Sequence, residues 1–167
     1  MAGSHDLQAT IEALVGFPGQ LERLFDCFSP EGRGWKPPSW GGIPSERLTA
    51  TEQVCHLRDI EVEGYGVRFQ RTRIEINPVL PDLAGELMAS ERHYADTDPV
   101  AALRTFAAAR ASTVATVQGF TADELRREAT FEGRRITLVG LVHFLSSHDY
   151  QHLAGLQWLL VNLQRPQ

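Results

Sequence analysis

Apolar residues recur at intervals of three and four along four stretches of this chain, the period of a helix that buries one face. The longest stretch runs through positions 138, 141, 145, 148, 152, 156 and 159. Leucines fill five of these positions, and His148 and His152 fill the other two. A first stretch spans about Asp6 to Cys27, with Leu7, Ile11, Leu14, Leu21, Leu24, Phe25 and Phe28 on its apolar face. Gly16-Phe17-Pro18-Gly19 lies inside it. Pro18 removes one helical donor, so a kink or break is expected there. The second stretch opens at Thr49-Ala50-Thr51-Glu52, a Ser/Thr-x-x-Glu capping box, and carries Val54, His56, Leu57, Ile60, Glu63, Val67 and Gln70. Gly64 and Gly66 weaken it, and close helix packing would explain them. The third begins at Asp98-Pro99, an N-cap followed by a first-turn proline, and ends at Gly119. Its stripe is Leu103, Phe106, Ala107, Arg110, Val114 and Val117. Thr137 caps the fourth helix, which ends near Leu163.

The connections are of two kinds. Ser29 to Leu48 and Ile76 to Tyr94 are long and broken by Pro and Gly, so both are expected to be irregular. Trp35 and Trp40 would pin the first of these to the body, as a rim over a site. Thr121-Ala122-Asp123-Glu124 caps a short helical turn, and Glu128 to Arg135 fits a small hairpin around Gly133. Four amphipathic helices with long loops after helices 1 and 2 predict an all-α four-helix bundle, in one domain over residues 1–167. Met1 to His5 read as a tag-like remnant, and His5 is given no role.

Composition narrows the function. With 43% apolar and 22% charged residues, the 167-residue chain is ordinary for a globular protein. A net charge of -5 argues against a nucleic-acid partner. The longest apolar run, near Leu138 to Leu145, is far too short to cross a membrane, and the N-terminus lacks a signal core. Two cysteines, Cys27 and Cys55, imply no disulfide framework and fit a reducing cytoplasm. Dimerisation through a bundle face is compatible with the pattern, and no residue specifies it.

The chemistry lies in HDYQH. Residues four apart on a helix are offset by about 40° and one turn, so His148 and His152 can grip one metal ion. Both point where leucines belong, and a buried imidazole needs a partner for its ring nitrogens. A hydrogen bond to a core carboxylate would also serve. Asp149 follows His148, so the chain has no HExxH motif and zinc-proteinase chemistry of that type is not supported. A catalytic metal needs three protein ligands and an open position. His56, in CHLRDIE, is the best third ligand. His143 lies about 140° from His148 around the helix and is expected to face a neighbouring helix or the surface. His93 falls in an irregular segment.

The segments TATEQVCHLRDIE, NPVLP and TLVGLVHFLSSHDYQHLAGLQWL together resemble the DinB/YfiT-like superfamily of four-helix-bundle metalloproteins, from about Leu7 to Leu163. That resemblance implies a divalent metal held by His56, His148 and His152. It further implies a small-molecule substrate. The reaction would be metal-dependent hydrolysis, or S-transfer from a low-molecular-weight thiol such as bacillithiol or mycothiol. Zinc or nickel is expected first, and imidazoles also suit copper and iron. Asp59 and Glu63 lie three and seven residues after His56, on roughly its helical face. Either would orient a ligand ring or act as a general base, unless both are merely solvated carboxylates. Asp149, about 100° from His148, is expected to face away from the metal. Arg68, with Arg71 and Arg73, would attract an anionic thiol cofactor or simply favour the helix C-terminus. Tyr150 and Trp158 read as packing residues. The alternative is a non-catalytic metal-binding protein with a stress or interaction role. Its structural zinc would need a fourth ligand, and Cys55, about 100° around from His56, is poorly placed to be one.

Overall fold

A computed structural model describes residues 2–164, with side chains from Asp6 onward; Met1 and the His5 side chain lie outside the described residues. Helix α1 spans Ala2–Phe25 without interruption, so the expected break at Pro18 does not occur. Pro18 has no N–H to offer the Leu14 carbonyl. Nη1 of Arg110 approaches that carbonyl from a neighbouring helix at 3.4 Å.

The second long element is a composite. Helix α2 (Ala50–Asp59) starts at the Thr49 capping box. It passes into a π-helical segment, Ile60–Gly66, and returns to regular winding in α3 (Val67–Ile74). A short helix α4 (Gly85–Glu91) lies inside the connection that sequence reads as irregular. Helix α5 (Pro99–Gln118) starts where Asp98 accepts the Val100 N–H. The turn α6 (Ala122–Leu125) and the strands β1 (Glu128–Phe131) and β2 (Arg134–Thr137) precede α7 (Leu138–Leu163). Helix α1 packs on α5 and α7, and α2 packs on α5 and α7, which closes a four-helix bundle.

The two strands pair antiparallel, Glu128 opposite Thr137 and Phe131 opposite Arg134. Glu132 and Gly133 both have positive φ, as a tight two-residue hairpin turn requires. Backbone bonds between Pro78, Leu80 and Thr130 tie the segment after α3 to this hairpin. Ala129 and Phe131 are thereby buried in the core. Among the described residues no helix is long and apolar enough to cross a membrane.

Candidate metal centre

The four donors reach the centre from three local structures. His56 lies in the last turns of α2, where the apolar stripe turns it inward. His148 and His152 project from successive turns of α7. Glu46 comes from the long loop before α2, and two contacts fix that loop. Arg47 grips Glu86 of α4 with both ends of its guanidinium, at 2.9 Å each. Ser45 lies against Gly155 of α7 so closely that a Cβ there would be 2.2 Å from its Oγ. Only a glycine allows that approach.

The donors converge. His148 Nε2 is 3.3 Å from Nε2 of both His56 and His152. Glu46 bridges the set, with Oε1 3.6 Å from His56 Nε2 and Oε2 3.2 Å from His152 Nε2. Bonds of about 2.0–2.1 Å in a tetrahedron put neighbouring donors about 3.3–3.4 Å apart. The observed spacings match that figure, so the residues fit a divalent ion. The donor chemistry agrees, since three imidazoles and one carboxylate suit zinc and several other divalent metals.

Protonation also favours a metal. Burial, reinforced by the charge of His152, lowers His56 to about 4. The same causes push His148 well below its ordinary value. Both rings are therefore neutral at pH 7, the ligating form. Burial works to raise the Glu46 carboxyl, but the nearby His152 and His56 rings outweigh it and hold the group below its ordinary value, so it stays ionised. His152 is oriented from behind. Gln53 gives its amide N–H to the Leu48 carbonyl at 3.2 Å, which leaves its oxygen to accept from His152 Nδ1 at 3.1 Å. That bond puts the ring proton on Nδ1 and turns the Nε2 lone pair to the centre.

Beside the centre is a cavity of about 260 Å³, walled by Glu46, His56 and His148 together with Tyr65, Arg68 and Phe131. Asp59 and Glu63 are not part of it. Asp59 accepts from Arg58 at 2.6 Å, the Tyr94 hydroxyl at 2.7 Å and Arg92 at 2.8 Å. Glu63 takes a two-pronged grip from Arg92 at 2.7 and 2.8 Å. Asp59, still in the regular winding of α2, lies about 60° around from His56 and turns to Tyr94 and Arg92. For Glu63 the π segment explains the displacement. Each π residue advances about 82° instead of about 100°, so seven of them lag by about 130°. Glu63, which regular winding keeps within about 20° of His56, is carried roughly 70–90° away. Arg68, about 120° off in a regular helix, returns to the His56 face.

The remaining residues fall as follows. Asp149 points away from the centre and pairs with Arg110 in the core. His143 Nδ1 meets the Thr10 hydroxyl of α1 at 2.8 Å. Arg71 and Arg73 pair with Glu75 and Glu124, outside the cavity. Cys55 is buried and its Sγ faces the Tyr94 carbonyl, so it is not the fourth donor. Sequence reasoning missed Glu46 and Gln53. Gln53 had a signal, a polar residue one turn before His56 on the same face. Glu46 had none, because a loop carries no period.

The sequence matches the profile of the DinB superfamily over residues 13–156. The chain belongs to the DinB superfamily. No curated protein matches it in sequence. Among solved structures, this DinB-superfamily chain is similar to YfiT from Bacillus subtilis, with a TM-score of 0.82 at 18% identity. The match covers 96% of this chain and 89% of YfiT. YfiT is described as a probable metal-dependent hydrolase with an unusual four-helix bundle topology. At that identity the likeness establishes the fold, and the chemistry rests on this chain's own residues.

Proposed function

We propose that this protein is a metal-dependent hydrolase of a small molecule, with zinc or nickel held by His56, His148 and His152. The observation that carries the reading is the convergence of three Nε2 atoms beside an ionised carboxylate, at the wall of an open cavity. A divalent ion held by these residues would supply Lewis acidity and make water a nucleophile near neutral pH. The protein residues supply the rest. Gln53 holds His152 in the ligating tautomer. Glu46, one-third exposed and ionised, takes the proton from the attacking water as general base. Tyr65 and Phe131 shape an apolar wall against the substrate.

S-transfer from a low-molecular-weight thiol such as bacillithiol or mycothiol uses the same donor set, with the thiol proton going to Glu46. Arg68 in the cavity wall favours this second reading, since such thiols carry anionic groups. A non-catalytic metal site is favoured by one observation only, the nearness of Glu46 as a fourth donor.

The test is elemental mass spectrometry of the purified protein beside a His148→Ala/His152→Ala variant, with hydrolysis of 4-nitrophenyl acetate measured on both after zinc loading. About one ion per chain and measurable hydrolysis in the wild type, both lost in the variant, support the reading. A wild type that stays empty after incubation with zinc, nickel and manganese refutes the metal centre. A loaded but inert protein points to the non-catalytic site.

A further inference from the structure

Arg68 is a buried cation without a matching anion. Its side chain is 3% exposed. Nε and Nη2 both spend their hydrogen bonds on one acceptor, the Pro81 carbonyl, at 3.3 and 3.1 Å. Among the described residues Nη1 makes no hydrogen bond, and it is not among the fully buried orphaned atoms, so it is open to the cavity. The nearest carboxylate, Asp82, is 3.9 Å away, beyond hydrogen-bond range, and its side chain is 73% exposed. Water screens an attraction of that kind. Glu132, also at the cavity wall, sits exposed on the hairpin turn.

The other charged networks show what a satisfied guanidinium looks like here. Arg110, equally buried, meets Glu61 and Asp149 in two bidentate pairs at 2.7–2.9 Å. Arg92 meets Asp59 and Glu63. A guanidinium out of water costs several kcal/mol unless an anion or a full set of acceptors compensates it. Arg68 is held in place regardless. Its guanidinium stacks 4.3 Å from the Phe131 ring centre and 4.9 Å from that of Tyr65. The π segment turns it onto the face of His56. The Pro81 carbonyl, the two aromatic rings and the π segment together place one uncompensated charge in the wall of the metal cavity.

We infer that Arg68 is the seat for an anionic group of the ligand, a carboxylate or another oxyanion, on a small molecule whose reacting end lies at the His56–His148–His152 centre. The inference rests on the metal reading only for where the reacting end sits. A planar guanidinium with free donors suits a carboxylate better than a point charge does. The cavity, about 260 Å³, lies just below the range of drug-sized pockets, so the ligand is compact or extends outward past Asp82.

The test uses full-length cobalt-substituted protein with 3-mercaptopropionate and its neutral amide, 3-mercaptopropionamide. Thiolate binding is read from the sulfur-to-cobalt absorption band, without turnover. The wild type is expected to bind the carboxylate at least tenfold tighter than the amide. Arg68→Met should level the two, and Arg68→Lys should keep part of the preference. Equal affinities in the wild type, or a preference that survives Arg68→Met, would overturn the inference. Cobalt uptake is measured first, from the d–d bands. If there is none, the metal centre has failed separately. The seat is then read on metal-free protein from the Arg68 Nε–H resonance, titrated with propionate and propionamide. A shift with propionate alone supports the seat, and no shift with either overturns it.

Discussion

Replacing Arg110 with Met tests the polar center of the bundle. Arg110 and Glu61 each have side chains 1% exposed, and Asp149 is 3% exposed. The guanidinium is the cation that faces both carboxylates, and it also answers the Leu14 carbonyl that Pro18 leaves without a helical donor. Removing one partner of a buried pair while the other stays costs about 3–5 kcal/mol. Two carboxylates remain here, so the upper half of that range is expected at pH 7. The pH dependence has a definite sign. Burial already raises Asp149 from 3.8 to about 6 against the pull of Arg110, with Glu61 adding to the rise. A carboxyl raised in the folded state binds a proton that the unfolded chain has released. Its contribution to stability therefore falls as pH rises from about 4 to about 6. Without Arg110 the Asp149 carboxyl loses the pull that lowers it and rises further, so the deficit of the variant should shrink between pH 7 and pH 5. Urea unfolding of metal-free protein at both values measures this. Adding Glu61→Gln and Asp149→Asn to the variant should recover most of the loss. A deficit under about 1 kcal/mol at pH 7, or one unchanged at pH 5, would refute the account.

Two further predictions concern the centre itself. Gln53→Leu removes the acceptor that orients His152 and should weaken zinc binding about 10–100-fold, read by competition with a chelating dye, with the fold intact by circular dichroism. His56, lowered to about 4 by burial, is neutral in the fold and charged in the unfolded chain below about 6.5. Metal-free protein should therefore lose stability as pH falls from about 6.5 toward 4, and His56→Asn should flatten that part of the profile in calorimetry.

The histidines were legible because two of them broke a leucine stripe and the third sat on an inward face. The bundle was legible from the same periodicity, and the caps at Thr49, Asp98 and Thr137 fall where sequence puts them. What failed has physical causes. A face count from His56 assumes 100° per residue, and the π segment breaks that assumption within four residues. Glu63 was therefore assigned to the centre and serves Arg92 instead, while Arg68 was read as part of an arginine cluster and stands in the cavity alone. Asp59 precedes that segment; it sits about 60° from His56, and the Tyr94 and Arg92 that claim it come from a distant stretch of chain. Pro18 predicted a kink or break, and the break fails because its lost donor was counted without the guanidinium that answers Leu14. Arg110 was visible on the apolar stripe of its helix, yet its two carboxylates come from other helices. Helix α4 was hidden by the prolines before it, Pro78 and Pro81, which end well ahead of Gly85.

Glu46 decides between the catalytic and non-catalytic readings. A structural zinc site is usually closed by four protein ligands, and a catalytic one keeps a position open. Glu46 is near enough to be the fourth ligand, at 3.2 and 3.6 Å from two of the rings. It differs from them in its support. The histidines are 0% exposed at His56 and His152, on long helices, whereas Glu46 is 34% exposed on a loop. A base needs that access to water, and a fixed ligand does not. Glu46→Gln keeps the shape and removes the charge. If Glu46 is the base, the variant should still bind one zinc, with affinity within about tenfold, and lose about 10²–10⁴ in turnover. If Glu46 is instead a fixed ligand, zinc affinity should fall well beyond tenfold, and the d–d bands of the cobalt protein should move away from the wild-type spectrum. That second pattern would refute the hydrolase reading and leave a metal that ties α2 and the loop to α7.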